Sequence, residues 1–125
     1  MKDLTSRVSC NIMGRYCYPI IIQTTMLKDF FLGFIKIHIL YHASKEPIYG
    51  VWIQEELGRH GYQLSPGTLY PTLHRLERDG YLERQSRVVA GKVRNYYAIT
   101  EKGRGALNEA GDKIQELVTE VIEER

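Results

Sequence analysis

Two groups of residues in this chain could do chemistry. The first is Ser65, Thr68, Tyr70, Pro71, His74 and Arg75, gathered in one stretch and followed later by Lys92 and Arg94. Hydroxyls, an imidazole and guanidinium groups at that density suit a phosphate backbone and base edges, because arginine contacts guanine bidentately and helix N-termini hold anions. The second group is His38 and His42, four residues apart, a spacing that lets two imidazoles on one helix face share a metal. No glutamate follows His38, so the zinc-protease pattern is missing, and no third ligand is indicated. The pair reads as packed polar groups, and neither a metal nor a cofactor is expected. Phosphate loops, a Gly-x-Ser-x-Gly elbow and a nucleophile beside a base are all missing, so enzyme activity is not expected.

The elements that must position these residues are legible from period and punctuation. Residues 27 to about 43 read as a helix, with Phe31, Ile35, Ile39 and His42 or Ala43 recurring every three or four positions. Phe30, Phe34, Ile37 and Leu40 make it apolar nearly all round, so it needs cover on more than one side. Pro47 disfavours helical backbone at Glu46 and stops it. A second helix is expected from Ile48 to Leu57, ended by Gly58 and Gly61. The third has the best-marked start, with Ser65 as cap and Pro66 in the first helical position, and Gly80 closes it. On that helix Leu69, Leu73 and Leu76 lie within about 60° of one another and must face the core. Pro71, His74, Arg75 and Arg78 then face outward, flanked by Thr68 and Tyr70. Residues 81–84 and 93–99 are strand-like and join through Ala90-Gly91. Thr100 caps a last helix whose Leu107, Ala110, Ile114, Leu117 and Val121 form a heptad seam, widened by Val118 and Ile122.

Length and charge agree with this plan. The chain has 125 residues, 43% hydrophobic and 26% charged, enough for one packed domain. Its net charge of +2 is too small for a polybasic protein, but the charge is unevenly placed. Residues 59–105 carry nine basic and four acidic side chains, whereas residues 106–125 carry two and six. A basic centre implies a local anionic partner. Arg59, Arg75, Arg78, Arg84, Arg87, Lys92 and Arg94 could all neutralise phosphates by releasing counterions. Two cysteines, Cys10 and Cys17, make no disulfide framework and have no usual zinc spacing. That cysteine usage fits a reducing cytoplasm best, and no apolar run approaches the ~20 residues of a membrane span, so no membrane partner is expected.

The order helix, helix, basic helix, hairpin, seam-bearing helix predicts a mainly α fold with a small β hairpin: a winged helix-turn-helix plus a C-terminal dimerisation helix. The third helix of such domains enters the major groove of double-stranded DNA. The residues also carry a resemblance. Pro47-Ile48-Tyr49-Gly50, the run Leu64-Ser65-Pro66-Gly67-Thr68-Leu69-Tyr70-Pro71-Thr72-Leu73-His74-Arg75-Leu76-Glu77-Arg78-Asp79-Gly80-Tyr81-Leu82, and the run from Gly91 to Gly103 resemble the PadR family of transcriptional regulators, over roughly residues 27–107. The single short last helix is similar to its short-tailed subfamily. This resemblance implies a homodimeric repressor of an inverted repeat, often released by a small aromatic or drug-like effector, and Tyr70 matches the family's tyrosine.

The expected division is residues 1–25 as an N-terminal extension, 26–100 as the DNA-binding domain and 101–125 as the dimerisation helix. The extension is read either as an arm touching DNA or a partner, or, by preference, as sequence ahead of a true start at Met26. The last helix is too short to stand alone, so the first and last helices of two subunits should interlock. The rival reading packs the seam on its own domain. A dimer pocket there would suit planar ligands, with Phe34, Tyr41 and Trp52 as candidates against the plainer reading of an aromatic core stripe. The second alternative for the whole chain is a winged-helix module that binds a protein and not DNA.

Overall fold

The computed structural model describes residues 8–10, 17–19 and 25–124. Two short antiparallel strands, β1 (Val8–Cys10) and β2 (Cys17–Pro19), place Cys10 opposite Cys17. The rest of the N-terminal extension, and with it the choice between arm and early start, lies outside the described residues.

Helix α1 (Thr25–Lys45) buries Ile35, Ile39, Leu40 and Ala43 on one face. Met26, Phe30 and Tyr41 remain exposed elsewhere on it, as expected of a helix apolar nearly all round. After Pro47 the chain departs from expectation. Ile48–Tyr49 forms a strand, β3, and α2 (Gly50–Arg59) begins only at Gly50. The reason is tertiary: Ile48 pairs with Tyr97 and Tyr49 with Tyr96, partners that local sequence does not reveal. The wing therefore belongs to a three-stranded antiparallel sheet of order β3-β5-β4, with β4 spanning Leu82–Val89 and β5 Lys92–Ile99.

Helix α2 ends in a Schellman motif. Tyr62 N–H donates to the Leu57 carbonyl and Gly61 N–H to that of Gly58, with Gly61 at φ +91°. Gly58 thus lies within the helix, and Gly61 alone ends it. Helix α3 (Pro66–Arg78) closes the same way through Gly80 and Tyr81. Helix α4 (Glu101–Val118) continues into a π-helical turn, Thr119–Glu123. Its cap is as expected: the Thr100 hydroxyl accepts from Gly103 N–H at 3.0 Å and donates to the Gly80 carbonyl at 2.6 Å.

One core joins these elements. Ile53 and Leu57 of α2, Leu69, Leu73 and Leu76 of α3, and Leu82 and Tyr97 of the sheet close on the buried face of α1. The leucine stripe of α3 is buried as its spacing predicted. Thr72, also buried, satisfies its hydroxyl on the Thr68 carbonyl at 2.8 Å. The seam of α4 divides: Leu107 packs against the core, whereas Leu117, Val121 and Ile122 stand about half exposed.

Candidate nucleic-acid interface

With its leucines inward, α3 turns Pro71, His74, Arg75 and Arg78 to solvent, and all four are exposed. They share an arc of about 100° opposite the leucine stripe. Ser65 is exposed ahead of the first turn and Thr68 is half-buried on the flank. Ser65 occupies the cap position, but its hydroxyl does not cap; it points to Thr68 Oγ1 at 3.4 Å. Its backbone carbonyl instead accepts from Thr68 and Leu69 N–H. Pro66 has no N–H, which leaves the anion-holding end of α3 one donor short. Pro71 removes a second N–H facing the Gly67 carbonyl, on a side where water reaches it.

Tyr70 has a role in the fold that its exposure of 36% half conceals. Its ring and hydroxyl lie directly on Gly50, leaving no room for a Cβ there. Gly50 thus serves close packing, and its partner is the tyrosine of α3. Gln54 of α2 adds a second tie, donating to the Leu64 carbonyl at 2.8 Å just before α3. Neither contact is visible in the sequence, because each joins elements through space.

The candidate phosphate-neutralising cations separate into free and engaged groups. Arg78 pairs with Asp79 at 3.2 Å, Arg84 with Glu77 at 3.6 Å, and Arg59 with Glu56. Among the described residues Arg75 and Lys92 have no such acidic partner. On the wing, Arg87 and Arg94 sit directly opposite each other, a like-charge pair that is normally unfavourable. Each is accommodated by an aromatic ring: Arg87 lies 4.4 Å from the Tyr96 centroid and Arg94 4.2 Å from that of Tyr49. Strand alternation puts Arg87, Lys92 and Arg94 on one face, the one away from Leu82 and Tyr97. At the tip, Val88 and Val93 form an exposed apolar pair that charge counting overlooks.

The aromatic effector candidates do not gather in one place within a chain. Phe34 packs on Phe30 at 4.7 Å, about two turns of α1 before Tyr41. Tyr41 and Trp52 both meet the edge of His42, at 5.1 and 5.4 Å. Trp52 also lines an open cleft of about 320 Å³ with Pro47, Tyr49, Arg87 and Tyr96.

Known proteins share this arrangement. A family model described as Transcriptional regulator PadR-like family matches residues 39–109. This chain belongs to the PadR-like family. Transcriptional regulator Rv3488 of Mycobacterium tuberculosis is 48% identical over 96 residues, covering 77% of this chain and 90% of that protein. A PadR-like transcription factor from Bacteroides fragilis superposes with a TM-score of 0.68 at 31% identity, covering 77% and 94% of the two chains. A PadR-like transcriptional regulator from Bacillus cereus gives 0.67 at 33%, covering 78% and 93%. The PadR-like regulator described here is thus a winged-helix transcriptional regulator, as its sequence implied. Among its described residues no helix is long and apolar enough to cross a membrane.

Proposed function

We propose that this PadR-like protein is a homodimeric, sequence-specific DNA-binding repressor acting in the cytoplasm on an inverted repeat. Residues 26–100 form the DNA-binding head, and residues 101–125 the dimerisation helix. The observation that carries the reading is the outward row Pro71, His74 and Arg75 on α3, with Arg75 free of any acidic partner among the described residues. Arg75 reads a base edge in the major groove, most naturally guanine. Ser65, Thr68 and Tyr70 fix the helix on the backbone, and Lys92 and Arg94 hold phosphate or the adjoining minor groove.

The dimer is supported by apolar surface at both ends of the chain fold. Met26 and Phe30 of α1, and Leu117, Val121 and Ile122 of α4 and its last turn, remain exposed on helices that touch each other. Pairing of two copies through α1 and α4 covers them and sets two heads about 34–36 Å apart, one DNA turn. Repression, and release by a small aromatic or drug-like effector near Phe34, Tyr41 and Trp52, rest on the family resemblance.

Selection from a random duplex-DNA pool, with affinity followed against salt, tests the proposal. An enriched inverted repeat bound less tightly as salt rises is the expected result. Charge reversal at Arg75 and Lys92 should abolish that binding while circular dichroism stays unchanged. Absence of binding at low salt would leave the winged helix as a protein-interaction module.

A further inference from the structure

A cluster distant in sequence from the recognition row has the composition of a metal site. His38 and His42 lie on α1, and the fold brings His60 to them from the end of α2. One nitrogen from each of the three imidazoles lies within 4.8 Å of the others. The missing third ligand of the sequence reading is therefore supplied from 18 positions beyond His42 by the Schellman turn, which seats His60 at the helix cap. Glu56 Oε2 stands 3.6 Å from His42 Nε2 and 3.5 Å from His60 Nε2, adding an oxygen donor. The His38 and His60 rings are 4.7 Å apart, and Trp52 meets His42 edge-on at 5.4 Å.

We propose that His38, His42, His60 and Glu56 bind one divalent transition-metal ion of the zinc class, clamping α1 to the C-terminal end of α2. Three imidazoles and a carboxylate are donors that such ions favour over magnesium or calcium. Ligand nitrogens around a tetrahedral zinc stand about 3.3 Å apart. The separation within the cluster closes by rotation of His60, whose side chain is 41% exposed. The same end of α2 leads through Gly61 and Leu64 into α3, so the ion stands beside the segment that seats the recognition helix.

The test is titration of the full chain, first dialysed against a chelator, with Co(II) alone. Expected are one Co(II) per chain, visible d–d bands displaced by Zn(II), and quenching of Trp52 fluorescence. Zn(II) should also raise the melting temperature, as any ligand of the native state does. H60Q, at an exposed position, should keep the fold and lose at least roughly tenfold in affinity. H38Q provides a second ligand deletion, and H74Q, which removes the chain's remaining histidine, should bind as the parent does. Thiolate-to-cobalt charge-transfer bands would put the ion on the cysteines and overturn the proposal. So would Co(II) binding that survives both H60Q and H38Q, or no binding at micromolar metal. None of these readouts involves DNA, so the site stands or falls apart from the repressor reading.

Discussion

Gly103 and Gly111 lie on the same helix and make opposite predictions. A Cβ at Gly103 would overlap the Tyr81 carbonyl and approach Ile99 Cγ1 to 2.7 Å, and a backbone atom cannot step aside. G103A should therefore lose about 1–3 kcal/mol in urea unfolding. Gly111 has nothing within 4 Å, so G111A should gain about 0.5–1 kcal/mol from helix propensity alone. Equal effects at the two positions would contradict the packing described. The wing turn offers a second contrast. Ala90 at φ +52° and Gly91 at +79° make a two-residue loop with both residues left-handed, and alanine is the misfit. A90N supplies the residue such turns prefer and should raise the melting temperature, with G91A lowering it.

At the scale of elements, α3 carries two arginines of different standing. R75A should cost about 1–3 kcal/mol of operator affinity and relax preference at one base position. R78A, which releases only an exposed pair with Asp79, should change affinity much less. Competition binding against single-base operator variants separates the two. Between α1 and α2 the relevant property is protonation. His38 and His42 are lowered by burial; His60 and, at His42, Arg59 push the same way, while Glu56 opposes. A lowered histidine means the unfolded chain takes up protons first as pH falls. The stabilisation is then complete above the ordinary histidine value of 6.5 and is lost on acidification below it. In chelator-containing buffer the melting temperature should fall from pH 7.5 to 5.5, and fall less in H38Q.

At the scale of the molecule, the division of the α4 seam makes the dimer testable. Leu107 belongs to the core of its own head, so truncating it should lower stability in any oligomeric state. Leu117 and Val121 touch little within the chain, and the double change L117E/V121E should leave the heads folded. Sedimentation should then show monomers, and operator affinity should drop by orders of magnitude because two linked half-sites become one. Dimers that persist would place the interface away from the exposed end of the α4 seam.

Local sequence determined much of this protein. The leucine stripe of α3, its proline start, its Gly80 stop and the Thr100 cap are short-range devices, each set by the geometry of a single helix turn. The outward row ending in Arg75 follows from the same period. What the tertiary structure decided is everything that depends on partners far along the chain. Ile48 and Tyr49 became strand because Tyr96 and Tyr97 were there to pair with them. Arg94 found the Tyr49 ring, Tyr70 settled on Gly50, and several cations counted as available were taken up by Glu56, Glu77 and Asp79. His60 completed the cluster that His38 and His42 only began. A side chain's own type and spacing set which contacts it is able to make, but packing of distant segments selects the one it makes, and that selection is not written in any local window.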